Sequence, residues 1–503
     1  MEAAQTRAMK NIKIQFALAI SALALITLNL NAQTFSVLHT FANAFPNQDS
    51  PDSGLVLLGG TLYGTTEFGP TPGHGSVFSV TTSSNFLALH AFSGPDGATP
   101  EAVLTLAGNL LYGTTKFGGT NGLGSVFSIA AGGGGFKELH AFPAGANNDN
   151  PTVNAYTNSE GVEPAGGLVL LGSMLYGTTF AAGTGGAGTL FALSTNGSPF
   201  QVLHQFASST GGLTNLDGME IQAGLLVSGH TLYGTARAGG PQHWGTVFSF
   251  NTDTSTFKLL HSFGTNEDDN GNPLDGGLPE GGLVLAGDTL YGTTASGGRL
   301  AYGTVYSLQT NGSNFRVLYQ FGTMLTNDEP ADGINPNGSL VVSGNTLYGT
   351  ANGGGAPPNP GTGTVFSLDT NGGHFTVLHA FSRLTNNTNS DGAYPPDQVV
   401  LSGDFLYGTA TAGGAKGGGT VFRVTIPAVQ APPLSVAPLL PGGATLTISW
   451  PDTAAGFSLE SNSDLSNSAG WQSFQGTILD TNGQETAQIE VAPGTAFFRL
   501  NHQ

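Results

Sequence analysis

Cysteine is absent from all 503 residues of the chain, and positively charged side chains are scarce. The missing thiols exclude disulfides, thiolate metal sites, cysteine nucleophiles and lipid attachment through an N-terminal cysteine. Only 13 Lys and Arg stand against 32 Asp and Glu, which gives a formal net charge of −19. Because so acidic a surface repels phosphate backbones, we expect no nucleic-acid partner.

Charged residues of either sign are also few, at 9% of the chain, whereas glycine is abundant with 78 copies. The glycines follow no three-residue period, which excludes a collagen-like chain. Hydrophobic residues make up 39% and recur in short, regular runs, which is not typical of disorder. This composition predicts a turn-rich all-β protein.

The N-terminal residues 1–32 have the pattern of a signal peptide. Arg7, Lys10 and Lys13 form a positive region, and an apolar run follows from Phe16 to Leu30. Cleavage after Ala32 would release the mature chain. The alternative is a single membrane anchor, although the run is shorter than the ~20 residues of a spanning helix. We therefore predict a secreted or cell-surface protein with no integral membrane span in its mature form.

Internal repetition is the strongest feature of the sequence. A Leu-Tyr-Gly-Thr string occurs seven times, with its tyrosine at Tyr63, Tyr112, Tyr176, Tyr233, Tyr291, Tyr348 and Tyr407. An apolar run precedes each string, and a Gly-Ser/Thr-Val/Leu-Phe/Tyr string follows it. A Leu-His-x-Phe string also occurs seven times, with Tyr319 replacing histidine in the sixth copy. Four short β-type segments thus recur about every 57 residues.

Four strands in each of seven units predict a seven-bladed β-propeller of four-stranded blades over residues 35–426. A β-solenoid is the alternative. The seventh unit lacks its own Leu-His-x-Phe segment, and one such segment, residues 35–41, stands alone before the first unit. We therefore expect residues 35–41 to complete the last blade as its outermost strand, which would leave no unpaired edge at the seam.

These repeated strings resemble the GloVer tandem-repeat family of exported bacterial proteins, whose unit reads much like LYGTTxxGGxxGxGTVF followed by LHxF. The resemblance spans about 390 residues. It implies export and attachment by varying anchors, but no particular activity. The strand order is similar to kelch repeats in architecture only, because the paired glycines here follow Leu-Tyr-Gly-Thr after a gap.

A ligand site should lie where the repeats differ, in the Gly-rich loops between the second and third strands. The candidate ligand-binding residues of these loops are Glu67, Lys116, Arg237, His243, Trp244, Arg299 and Tyr302. Trp244 is the only tryptophan of the repeat region, and an indole beside cationic groups suits stacking on a sugar ring or anchoring a protein. The alternative is an aromatic ring folded onto its own loop.

For the other polar residues that recur in each repeat, we predict structural roles. We predict that the repeated histidines pack between blades, because tyrosine replaces one of them and would be a poor metal ligand. Successive units are joined by links of the form Asp-Gly-x-x-Pro. We predict that the acidic residue of each link forms an Asx-type turn that caps the entry to the inner strand, with a ring of functional carboxylates as the alternative. We predict no catalytic residues, no metal site and no cofactor, with calcium at the loop Asn266–Gly271 as a further alternative.

Beyond the repeats, residues 427–433 read as a proline-rich linker and residues 434–503 as a small fibronectin-III-like β-sandwich containing Trp450. Two functions fit the whole chain. The first is an exported, monomeric, non-catalytic binding or scaffold protein that presents a propeller face to an extracellular glycan or protein. The second is a glycoside hydrolase or lyase, but the acids recur in register and suggest no single asymmetric catalytic pair.

Overall fold

The structure, a computed structural model, describes residues 34–44, 47–69, 73–143, 146–147, 156–207, 215–269, 271–322, 325–326, 329–355, 361–426, 435–436, 445–451, 457–462, 472–474, 476–481, 484–490 and 497–502. These residues form strands and turns and no helix, which confirms the all-β prediction. Consequently, the described part of the chain also holds no helix that could cross a membrane. The predicted signal peptide and linker lie outside the described residues.

The first half of the repeat region forms three sheets, which we number 1 to 3. The chain begins with β1 (Phe35–Ala44) and β2 (Asn47–Gln48). Sheet 1 contains β3 (Val56–Leu58), β4 (Thr61–Thr66), β5 (Ser76–Thr81) and β6 (Phe86–Ala91). Sheet 2 contains β7 (Thr105–Ala107), β8 (Leu110–Thr115), β9 (Ser125–Ala130) and β10 (Lys137–Ala141). After the short hairpin β11 (Ala146–Asn147) and β12 (Tyr156–Thr157), sheet 3 contains β13 (Val169–Leu171), β14 (Met174–Thr179), β15 (Thr189–Ser194) and β16 (Phe200–Gln205).

The second half forms sheets 4 to 7. Sheet 4 contains β17 (Leu226–Ser228), β18 (Thr231–Ala236), β19 (Thr246–Asn251) and β20 (Thr256–Ser262), and sheet 5 contains β21 (Val284–Ala286), β22 (Thr289–Thr294), β23 (Thr304–Gln309) and β24 (Arg316–Gln320). After the short hairpin β25 (Leu325–Thr326) and β26 (Glu329–Pro330), sheet 6 contains β27 (Val341–Ser343), β28 (Thr346–Ala351), β29 (Thr364–Asp369) and β30 (Thr376–Ala380). Sheet 7 contains β31 (Val400–Ser402), β32 (Phe405–Ala410) and β33 (Gly417–Thr425), to which β1 and β2 add.

The strands of each sheet are antiparallel and follow chain order, from the apolar run to the Leu-His-x-Phe strand. In sheet 7 the fourth strand is β1, whose Phe35 and Val37 pair with Val424 and Phe422 of β33. The start of the repeat region therefore shares one sheet with its end. The result is a propeller-like arrangement of repeated four-stranded sheets.

The core lies between the sheets. Seven clusters of buried apolar side chains each join two consecutive sheets, and one of them joins sheet 7 to sheet 1 through Tyr407, Leu62 and Phe78. The two middle strands of each sheet are buried almost throughout, since a neighbouring sheet covers each face.

The repeated Gly of Leu-Tyr-Gly-Thr has a packing reason. A Cβ added to Gly64 would lie 2.7 Å from Cζ of Phe78 and 2.8 Å from Cδ2 of Leu55. The phenyl ring of the third strand therefore lies against the glycine of the second, where no side chain fits.

The described residues of the C-terminal region form seven more strands in two sheets. One sheet contains β34 (Ser435–Val436), β35 (Thr445–Pro451), β38 (Ile478–Thr481) and β39 (Gln484–Glu490), and the other contains β36 (Phe457–Asn462), β37 (Gln472–Ser473) and β40 (Phe497–His502). The two sheets share a core of Ile448, Trp450, Leu459 and Ala487. The tryptophan predicted to be buried is 1% exposed.

Candidate functional site: the mouth of the central cavity

The links that lead into the seven sheets, together with the first strands of sheets 1 to 4, line a cavity of about 650 Å³. In most links the residue after the link proline reaches it, and the residues at this repeat position are Asp52, Glu101, Ala165, Gln222, Glu280, Asn337 and Pro396. The framework around this position is nearly identical from repeat to repeat. The chemistry of the cavity wall thus changes from repeat to repeat.

Carboxylates concentrate on one side of this cavity, where sheets 7, 1 and 2 meet. Burial and the charges of Glu67, Glu101 and Asp397 raise the pKa of Asp52 to about 8, against the opposing effect of Lys116. Burial and the charge of Glu101 raise the pKa of Glu67 to about 7. The raised pKa values therefore favour the protonated form of Asp52 at neutral pH.

Asp397 ties this acidic side to its neighbours on both flanks. Its carboxylate accepts hydrogen bonds from the backbone N–H groups of Gly54 (3.3 Å), Ser339 (3.4 Å) and Gln398 (2.7 Å). Burial raises its pKa, and these three hydrogen bonds oppose the rise. Asp397 thus joins the links of repeats six, seven and one around the cavity.

Two of the three cations predicted as site residues, Lys116 and Arg237, are ion-paired with acids that line this cavity. Lys116 Nζ lies 3.1 Å from Glu101 Oε2. Arg237 donates from Nη1 to Glu220 and from Nε to Glu280, each at 2.7 Å. The arginine therefore joins the links that enter sheets 4 and 5.

The structure separates the remaining candidates from the acidic side. Trp244 is half-buried against Gly264 and Gly277, and its Nε1 donates to Glu267 Oε1 at 3.1 Å. The ring of the exposed His243 lies 5.6 Å from that indole, between centroids. The indole therefore packs against the link that follows β20, whereas the alternative read from the sequence was a ring folded onto its own loop.

Tyr302 occupies the same repeat position as Trp244 and packs against Gly322 in the same way. Arg299 is exposed and lines a second cavity, of about 530 Å³, with Asp268, Asp269 and Gln320. The seven predicted residues therefore lie in three places. Glu67 and Lys116 are on the acidic side, and Arg237 forms ion pairs between two links. The other four lie away from both, and they are His243, Trp244, Arg299 and Tyr302.

The repeated histidines and link acids form pairs with each other. His90 Nε2 lies 2.9 Å from Asp96 Oδ2, and the same contact recurs in five further repeats, including Tyr319 with Asp332 at 2.8 Å. In most of these pairs the carboxylate also accepts a backbone N–H just after the outer strand. The link acid therefore holds the outer strand, rather than capping the inner one as the turn reading assumed.

The loop considered for calcium is internally bonded in its described residues. Asp268 accepts hydrogen bonds from the backbone and side-chain nitrogens of Asn272, at 2.9 and 3.1 Å, and Glu267 accepts the indole N–H of Trp244. Among the described residues no group of three or more His, Asp or Glu side chains is placed to hold a metal ion. Calcium binding stays a prediction for this loop.

Sequence reasoning missed Asp52, Glu101 and Asp397. Their signal was present, since each stands in a link at a position where other repeats have Ala, Gly or Pro. This signal is weak in the sequence, because the same links also carry the repeated acid of the Asp-Gly motif.

Comparison with solved structures gives low similarity throughout. The GH74 enzyme of Niastella koreensis is 16% identical over 83% of this chain and 60% of that one, with a TM-score of 0.45. An oligogalacturonate lyase in complex with manganese is 12% identical over 78% and 93%, with a TM-score of 0.45. A nidogen/laminin complex is 15% identical over 62% and 91%, with a TM-score of 0.35. At these values the likenesses carry no conclusion about activity.

No curated protein matches the chain. The family model described as the Gloeobacter/Verrucomicrobia repeat matches residues 23–212, 152–274, 212–389 and 323–434. These ranges contain all seven Leu-Tyr-Gly-Thr strings and confirm the resemblance read from the sequence. The chain belongs to the Gloeobacter/Verrucomicrobia repeat family.

Proposed function

We propose that the chain is an exported, non-catalytic binding protein whose repeat region is a closed seven-bladed β-propeller followed by a fibronectin-III-like sandwich, and that it binds a glycan or protein ligand at the mouth of the central cavity. Seven sheets with seven shared apolar clusters support the closed ring. The two C-terminal sheets around Trp450 support the sandwich.

One observation carries the binding role: the cavity wall changes from repeat to repeat while its framework does not. Packing explains the repeated Leu, Tyr, Gly and Thr, because these residues build the sheets and their interfaces. Packing does not call for Asp52, Glu101 and Gln222 at a position where Ala165 also suffices. Divergent polar groups around a preformed cavity are typical of ligand recognition.

The test measures binding by the full chain, expressed with its own N-terminus in an exporting bacterium. Glycan and surface-protein arrays would identify ligands, and calorimetry would then compare the unaltered protein with the variant Asp52→Asn, Glu101→Gln. We expect about tenfold or greater weakening, as loss of a central polar contact typically causes. Asp288→Asn, an exposed carboxylate on the opposite face, is the matched control. Equal loss in the control, or none in either, contradicts a site at the mouth.

A second function, cleavage of a polysaccharide by a hydrolase or lyase reaction, has one observation in its favour. Asp52 and Glu67 have raised pKa values next to Glu101, which pairs with Lys116. A protonated acid beside a carboxylate is the chemical minimum for glycoside cleavage. Release of reducing ends from a bound glycan, abolished by Asp52→Asn, would favour the enzyme over the binding protein.

A further inference from the structure

Two exposed phenylalanines distinguish repeats one and two from the other five. Phe68 and Phe117 stand three residues after the Leu-Tyr-Gly-Thr string, and the other repeats have Ala181, Ala238, Ser296, Gly353 and Ala412 there. The two rings are 42% and 41% exposed, although most phenylalanines of the second, third and fourth strands are buried. Since five repeats fold with a small residue at this position, the fold does not require these rings.

The backbone holds Phe117 firmly. Its N–H donates to the carbonyl oxygen of Ala98 at 3.1 Å, and its own carbonyl oxygen accepts from Ala98 at 2.8 Å. Lys116 Nζ lies 5.7 Å from the centre of the phenyl ring. A ring on so fixed a backbone loses little entropy when a ligand covers it.

Phe117 lines a groove of about 630 Å³ between repeats one and two. The lining combines this ring with the imidazole of His74, the hydroxyls of Thr99 and Thr120 and the amide of Asn121, over a base of glycines. Such a mixture suits a molecule with one flat apolar face and many hydroxyls. An apolar helix or a lipid tail would leave these polar groups without partners.

A chain of contacts connects the groove with the mouth cavity. Glu101 lines the mouth cavity, its partner Lys116 lies over Phe117, and Phe117 lines the groove. The acidic side of the mouth, with Asp52 and Glu67, lies next to this path. Polyanionic ligands are therefore repelled, and the chain's net charge of −19 adds to the repulsion.

We propose that Phe117 forms a stacking platform for a neutral oligosaccharide that extends from the mouth cavity into the groove between repeats one and two. This inference rests on the proposed binding function and assigns it a ligand class. The pyranose face stacks on Phe117, and the hydroxyls of the sugar bond to Asn121, Thr120 and His74.

The experiment uses calorimetry on the full chain with cellohexaose, xylohexaose and mannohexaose as neutral probes and hexagalacturonate as the polyanionic probe. We expect at least one neutral hexasaccharide to bind and hexagalacturonate not to bind. Phe117→Ala should weaken binding about tenfold or more, and Phe117→Trp should retain it, because an indole stacks as well as a phenyl ring. Leu110→Ala removes a 42% exposed apolar side chain from the same repeat at its other end and is the matched control.

Because Phe117 is exposed, its variants should have the same melting temperature as the unaltered protein. This measurement separates lost binding from lost folding. A neutral hexasaccharide that binds Phe117→Ala as tightly as the unaltered protein overturns the platform and leaves the proposed function standing. Binding only to proteins, or tighter binding to hexagalacturonate, overturns the ligand class. A chain that binds neither glycans nor proteins on the arrays contradicts the proposed function as well.

Discussion

His379 stacks on Phe35, with 3.8 Å between ring centroids and an interplanar angle of 13°. The two residues come from opposite ends of the repeat region, on the outer strands of sheets 6 and 7. The same stack joins each outer strand to the next one around the molecule, in the pairs His39–Phe86, His90–Phe136, His140–Phe200, His204–Phe257, His261–Phe315 and Tyr319–Phe375. The face of the repeated histidine thus packs between two sheets. In most repeats its Nε2 atom bonds to the link acid.

Replacing one histidine by tyrosine should be tolerated. His261→Tyr should change the free energy of unfolding by less than about 1 kcal/mol, because Tyr319 already stacks on Phe375 at 3.9 Å and bonds to Asp332 at 2.8 Å. His261→Ala should cost about 2–4 kcal/mol, since it removes the stack and leaves the buried Asp275 short of a partner. Urea denaturation of both variants checks this. Equal losses would show that the hydroxyl does not substitute for the imidazole.

The pairing of β1 with β33 makes the N-terminal strand essential. Deleting residues 35–41 would remove the strand that covers β33 and would expose Phe422 and Val424, which are 0% exposed. We expect aggregation or a large fall in the melting temperature, measured by scanning calorimetry and light scattering. A truncated protein that stays monomeric and has the melting temperature of the intact chain would refute the assignment of β1 to sheet 7.

The fold was readable from the sequence because its repeats are local and numerous. Strand order followed from the order of the four strings, and the solitary segment of residues 35–41 indicated how the ends meet. The partner of each histidine was not readable, since the phenylalanine it stacks on lies in the next repeat, and the distance to it along the chain varies. The same applies to the link acids, whose contact with the histidine depends on how the outer strand turns into the link.

The acidic side of the mouth predicts a specific pH dependence of stability. The pKa of Asp52 rises from its ordinary value near 4 to about 8 on folding, so the folded state binds a proton that the unfolded state releases between these values. This contribution is fully present below about pH 4 and is lost as the pH rises to about 8. Asp52→Asn removes the titration. Its melting temperature should therefore exceed that of the unaltered protein by a margin that grows from pH 4 to pH 8 and then levels off.

Asp288→Asn is the control for this measurement, because Asp288 is exposed at a turn on the opposite face. A margin for Asp52→Asn that stays constant with pH would mean that Asp52 titrates in its ordinary range. The raised pKa, and the protonated acid that the enzymatic alternative requires, would then be wrong.

Trp244 should behave as a packing residue. Its indole lies against the core between sheets 4 and 5 and bonds to Glu267, so Trp244→Ala should cost about 3–5 kcal/mol of stability. From the sequence alone, an exposed loop tip would instead predict weaker ligand binding and an unchanged melting temperature. Tyr302→Ala, at the same repeat position, is the matched comparison and should destabilise as well. An unchanged melting temperature with lost binding would restore Trp244 as a ligand contact.

The site was less readable from the sequence than the fold. Glu67 and Lys116 were predicted as site residues because they differ from their repeat equivalents, and they lie on the acidic side of the mouth. Phe117 meets the same criterion but was passed over, because a phenylalanine in a repeat so rich in phenylalanine reads as core. Only its exposure, which depends on how the Gly-rich loop leaves β8, separates it from the buried rings.

The central claim is that the two ends of the repeat region share sheet 7, and the absence of native cysteine allows a direct test. Ser36 and Arg423 are directly opposite each other in β1 and β33, and Arg423 Nε donates to Ser36 Oγ at 3.2 Å. With Ser36→Cys and Arg423→Cys in one chain, we expect an intramolecular disulfide on mild oxidation, detected by mass spectrometry of the linked peptides, and a raised melting temperature. The control pair places the second cysteine at Ser402 of β31, two strands further from β1, and should not link. Linkage no faster than in the control, or only between separate chains, would contradict the closed ring.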